Sequence, residues 1–151
     1  SQDELLDAFS KYRREKFHQS LDEALSRYDN PEERFNALVI YMDEYLKKGQ
    51  ARKLLLVAPA YAYSWFSSIF QDSVDRFQMD LSIVFDMWEN ELGIKIDRKL
   101  ICEFLVRYIL SEQLVPSTSR HRSTLPGRFR RMVTALLESD ARSPVSKNKQ
   151  N

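Results

Sequence analysis

Residues 3–28 read DELLDAFSKYRREKFHQSLDEALSRY, and their spacing decides the fold class. Leu5, Leu6, Phe9, Tyr12, Phe17, Leu21, Ala24, Leu25 and Tyr28 recur every three or four positions among Lys, Arg, Glu, Asp and Gln. Side chains so spaced share one face of an α-helix, and the stretch predicts one long amphipathic helix. Asp29-Asn30-Pro31-Glu32-Glu33 follows with a capping side chain, a proline suited to the first helical position and two acids that favour a helix N-terminus. A second helix is expected from there, with Phe35, Leu38, Val39, Met42, Tyr45 and Leu46 inward and an end near Lys48 before Gly49.

The same reading carries down the chain. Residues 51–58 predict a short buried helix, and Pro59 interrupts it because proline lacks the backbone donor that a continuing helix uses. After an aromatic stretch over 61–70, helical spacing resumes over 72–92 and stops at Gly93. Asp97 can cap a helix over 98–114, where Leu100, Ile101, Phe104, Leu105, Tyr108 and Ile109 form one stripe. Val106, Leu110 and Leu114 spread its apolar surface onto a second side, which requires cover on more than one face. A polar, basic connector runs over 116–124, and Pro126 opens a last amphipathic helix, with Phe129, Met132, Val133, Leu136 and Leu137 on one side. The expectation is an all-α fold: one domain over 1–140 and a disordered tail over 141–151 that offers nothing to bury.

Composition narrows the function classes. Apolar residues are 43% and charged residues 30%, with a net charge of +1, which fits a globular protein and names no partner. No apolar run is long enough to span a membrane, and residues 1–7 lack the basic start of a secretory signal, so a cytoplasmic location is expected. Three glycines leave no glycine-rich phosphate loop, and one cysteine allows no internal disulfide.

The chemical motifs are sparse. Glu15 and His18 have the Glu-x-x-His spacing of di-iron bundles, but such a site needs two motifs, and His121 has no acid three residues before it. Cys102 lies in an apolar helix without a nearby histidine to act as base, and reads as a small buried hydrophobe. Asp86 and Glu89 share a helix face, as solvated carboxylates routinely do. Arg120, Arg122, Arg128, Arg130 and Arg131 cluster with His121 but lack the interleaved aromatics of a nucleic-acid surface. No catalytic group, cofactor or metal is expected from these motifs.

Aromatic density is the strongest local signal, with Tyr61, Tyr63, Trp65, Phe66 and Phe70 within ten residues just after Pro59. Large flat side chains carrying a few hydroxyl and indole donors suit an apolar small-molecule site. The candidate lining is Tyr41, Met42, Tyr45, Tyr61, Trp65, Phe66, Phe85, Trp88, Phe104 and Tyr108, with Cys102 beside them. A helical adaptor for another protein, with no such cavity, is the alternative.

The opening Ser1-Gln2-Asp3-Glu4-Leu5-Leu6, followed by the long helix with Tyr12, Arg13, Arg14 and Phe17, resembles the segment after the DNA-binding head in TetR-family transcriptional regulators. The Asn30-Pro31-Glu32-Glu33-Arg34-Phe35 start of the next helix and the last two long helices are similar to that family's regulatory half. The likeness extends in order and length over about residues 1–138, and the family's helix-turn-helix head is absent from this chain. It implies an effector-binding and dimerisation domain that senses a small apolar or aromatic ligand and reaches DNA only through that missing head. It also implies a homodimer, in which the helices over 98–114 and 128–138 pair with their symmetry mates as a four-helix bundle. Val106, Leu110, Leu114, Phe129, Met132, Val133, Leu136 and Leu137 are its expected interface.

Overall fold

In the computed structural model, Ser1 starts the long helix that the sequence predicts. Its Oγ accepts from the Glu4 amide at 3.3 Å, while Glu4 Oε2 accepts from the terminal ammonium at 2.7 Å, giving a reciprocal cap for α1 (Gln2–Ser26). Residues 1–118 and 125–142 are described, and among them the chain forms seven helices and no strand. Asn30 Oδ1 accepts from the Glu33 amide at 3.1 Å, and Pro31 occupies the first position of α2 (Pro31–Lys48). Gly49 ends that helix at φ 61°, a left-handed conformation that glycine adopts without a Cβ penalty.

The short α3 (Gln50–Val57) stops before Ala58, and Pro59 becomes the first residue of α4 (Pro59–Asp80). The aromatic stretch is therefore the N-terminal half of a 22-residue helix and not a separate segment. The helix expected over 72–92 is divided at Leu81 into the end of α4 and α5 (Ser82–Leu92). No glycine or proline marks that break. Leu81 keeps its backbone bonds to Phe77 and from Phe85 at 3.0 Å but turns to φ −99° and ψ 8° and is almost wholly buried, so tertiary packing bends the chain where local sequence does not. Asp97 caps α6 (Arg98–Leu114), accepting from the Leu100 amide at 3.0 Å. The last helix, α7 (Leu125–Arg142), starts before Pro126 and runs four residues beyond the predicted end at Glu138.

Helix α2 lies at the centre and packs on α1, α5, α6 and α7, while α4 packs on α6 and α3. The main core joins Leu21 and Leu25 of α1, Phe35, Leu38 and Met42 of α2, Val74 and Phe77 of α4, Phe85 of α5, Leu105 of α6 and Val133 of α7. Each fully buried aliphatic or aromatic chain there stabilises the fold by about 1.5–3 kcal/mol. A smaller cluster, Ala51, Ala62 and Phe66 with Leu54, Leu55, Trp65 and Leu110 around it, ties α3 to α4 and α6. Polar fasteners sit outside these cores. Arg130 of α7 reaches Glu32 at 2.9 Å and Asn36, with its guanidinium 4.8 Å from the Phe35 ring centre. Arg98 donates to both Glu89 oxygens, at 3.1 and 3.0 Å, and to Asp86 at 2.7 Å, holding α5 against the start of α6.

Candidate functional site

Helical geometry distributes the ten aromatic-site candidates over several places. Met42, Phe85 and Trp88 belong to the main core, where Trp88 meets Phe35 edge-on at 5.1 Å and Phe85 at 5.8 Å. Tyr41, Tyr45 and Tyr108 are half-buried against that core. Tyr41 donates to the Phe17 carbonyl at 3.2 Å, and Phe17 meets Tyr45 edge-on at 4.7 Å. Trp65 and Phe66 lie together in the smaller cluster, their rings 5.4 Å apart. Tyr61 donates to Asp7 Oδ1 at 2.9 Å on the α1 side of α4, and Phe104 is exposed on α6. Of the aromatic residues just after Pro59, Trp65 and Phe66 thus share one cluster, apart from the Met42, Phe85 and Trp88 of the main core.

The interface candidates divide differently. Val106, Val133 and Leu137 turn into the core of their own chain, and Met132 and Leu136 pack beside it, because α7 lays its apolar stripe on α2. Leu110 is half-buried between the two clusters, and Leu114 is 48% exposed. The second apolar side expected on α6 is therefore covered within the chain at Val106, while Leu114 stays open. The side chain of Phe129 lies outside the described residues, as do Arg120, His121 and Arg122 of the connector and the tail beyond Arg142.

The reactive groups are occupied or shielded. Cys102 is fully buried, and burial, with Asp80's charge adding to it, pushes its thiol up to about 12. Asp86 and Glu89 both accept from Arg98, which holds the Glu89 carboxyl down at about 2 with help from Lys95 and the Ile96 amide. Glu15 is ion-paired to Arg76 at 3.3 Å. Among the described residues no cluster of three or more His, Cys, Asp or Glu could hold a metal, and no helix is long and apolar enough to cross a membrane.

What the fold does assemble is a polar seam between α1 and α4. Ser10, Arg14, His18 and Asp22 stand four residues apart on α1, so they form one row along the helix. Asp72, Arg76 and Asp80 make a matching row on α4. Arg14 pairs with Asp72, and Arg76 bridges Asp72 at 3.1 Å and Glu15 at 3.3 Å. At the far end the Asp80 carboxyl meets that of Asp22. Ser10 and His18 are almost wholly buried. Ser10 Oγ, Arg14 Nε, His18 Nδ1 and Asp80 Oδ2 are buried atoms that meet no hydrogen-bond partner among the described residues. Beside the seam runs an open groove of about 470 Å³ lined by Glu15, His18, Gln19, Asp22, Glu23, Ser26 and Arg76.

Two opposed titrations follow from this packing. Burial, then the positive charges of Arg76 and Arg14, lowers His18 to about 4, so its imidazole is neutral throughout the neutral range. Burial, then the neighbouring Asp22 carboxyl, raises Asp80 to about 7. No protein-family model, curated protein or solved structure matches the chain. The polar seam was absent from the sequence reading because a charged helix face is ordinarily solvated. Its signal was the four-residue spacing of Ser10, Arg14, His18 and Asp22, repeated by Asp72, Arg76 and Asp80.

Proposed function

We propose that this chain is the effector-binding and dimerisation domain of a TetR-type transcriptional regulator, sensing a small apolar or aromatic molecule. The observation that carries the reading is the division of α1 into two unlike halves. Leu21 and Leu25 root its C-terminal half in the main core, whereas Leu5, Phe9 and Tyr12 are exposed along its N-terminal half. A 25-residue helix is about 37 Å long, so a small rotation at the rooted end becomes a displacement of several ångströms at the other. A ligand acts on such a lever only through its differential affinity for two positions of the helix.

The ligand belongs at Trp65 and Phe66. Among the described residues their cluster has three buried members, so opening it costs less packing than opening the main core. Native mass spectrometry of the freshly purified chain tests the reading. A dimer retaining a small molecule, lost in Trp65→Ala, supports it; a ligand-free monomer that takes up no hydrophobic probe refutes it. One observation favours the adaptor reading: Leu56, Val57 and Tyr63 leave an apolar surface open around the α3–α4 junction. A chain without ligand that forms a stoichiometric complex through that surface supports the adaptor.

A further inference from the structure

The α1–α4 seam holds two ionisable groups whose burial acts in opposite directions. His18 is 3% exposed with an unpartnered Nδ1, and it faces Arg76 across the seam and Arg14 on its own helix. A second proton on that imidazole would bury a positive charge beside two others. Asp80 has the opposite difficulty. Its Oδ2 is buried without a donor, and the group opposite is the Asp22 carboxyl. Two carboxylates can only accept, so a hydrogen bond between them exists only when one of the two is protonated. The remaining charged and titratable groups around Asp80 are Arg34 of α2, Arg76 of α4 and the Cys102 thiol of α6. Both arginines are engaged: Arg34 donates to the Tyr28 and Asp80 carbonyls, and Arg76 to Asp72 and Glu15. Around His18 the acids are Glu15 and Asp22 of its own helix.

We propose that this seam is a proton-exchanging latch on α1: closing it places a proton on the Asp22–Asp80 pair and removes one from His18. When α1 leaves α4, solvent reaches both sites, the carboxyl pair releases its proton and the imidazole takes one up. The closed seam is thereby free of the two charges that would be hardest to bury, and the open seam carries both. Between about pH 4 and 6.5 the two exchanges oppose each other, so the grip on α1 changes little with pH although either group alone would make it strongly pH-dependent. Above 6.5 the imidazole is neutral in both positions, and only the proton of the carboxyl pair is left to be lost. The latch does not depend on what α1 transmits, so it stands or falls apart from the effector-binding reading.

The seam is tested by hydrogen exchange of the full chain, following the backbone amides of residues 17–25 and correcting for the intrinsic exchange rate at each pH. Opening constants of Asp80→Asn and His18→Gln are divided by those of the wild-type chain between pH 4.5 and 6.5, which cancels the titration of every other group. For Asp80→Asn the ratio is expected to fall as pH rises, by up to tenfold per pH unit. For His18→Gln it is expected to rise by a similar factor. Asp22→Asn changes the exposed partner of the pair and leaves Asp80 buried, so its ratio must slope in the same direction as that of Asp80→Asn but less steeply, which keeps the test decisive if the buried substitution does not fold. Ratios that are flat in pH, or that slope in the same direction for both groups, overturn the latch.

Discussion

Replacing Glu89 by Gln keeps the shape of the side chain and removes the charge that holds α5 to the start of α6. The carboxylate is 10% exposed and receives Arg98 through two nitrogens, at 3.1 and 3.0 Å, Lys95 at 3.1 Å and the Ile96 amide at 3.4 Å. These donors lower its pKa from 4.5 to about 2. In a dry site that difference corresponds to about 3 kcal/mol of stability. Water reaches the rim here, since Lys95 is well exposed and Arg98 partly so, and screening reduces the figure to about 1.5–2 kcal/mol. Because the folded pKa is depressed, the contribution is complete above pH 4.5 and is lost as pH falls toward 2. Urea unfolding at pH 7, 4 and 2.5 measures this directly. Glu89→Gln should be less stable by that amount at pH 7, and the gap to wild type should close as the solution is acidified. A variant as stable as wild type at pH 7, or a gap that stays constant down to pH 2.5, refutes the assignment.

Other perturbations separate the remaining roles. Trp65→Ala and Phe66→Ala should abolish binding of an apolar effector while circular dichroism retains the helical signal; loss of the fold in both, at the 3–5 kcal/mol typical of core aromatics, would make the cluster structural. Leu114→Glu should dissociate the proposed homodimer with the protomer folded, and Lys48→Glu should leave it intact, both read by sedimentation; a wild-type chain sedimenting as a monomer at micromolar concentration rejects the dimer. Val133→Glu should instead unfold the protomer, since Val133 is 3% exposed within its own chain. Gly49→Ala meets no close neighbour but is forced to φ 61°, and should lower stability by about 1 kcal/mol in thermal unfolding.

Periodicity made the helices legible where one face is uniformly apolar. The Asn30-Pro31 start, the Gly49 and Gly93 stops and the Asp97 cap all stand where local chemistry placed them, because each acts through its own backbone. The break at Leu81 was not legible, since it is imposed by burying one leucine among helices distant in sequence. Val106, Val133 and Leu137, expected at an interface between copies, are covered within their own chain, because an apolar stripe declares that it needs cover, not which partner supplies it. Aromatic density likewise identified ring-rich helices but not which rings share a cluster, and only Trp65 and Phe66 do so beside the kink. The polar seam was hidden by the opposite error. Arginine, histidine and aspartate on a helix read as solvent-facing until a second row at the same spacing lies across from them.

The burial of Cys102 gives the molecule a built-in stopwatch. A thiol held at about 12 carries almost no thiolate at pH 8, and one with no accessible surface meets an alkylating reagent only after the helices around it part. Its labelling rate therefore reports how often α6 separates from the core, on a chain whose other residues are silent to the reagent. The same silence allows a second thiol introduced by Tyr12→Cys to be tagged selectively in the folded protein, so that the swing of α1 and the breathing of the core can be timed in one sample.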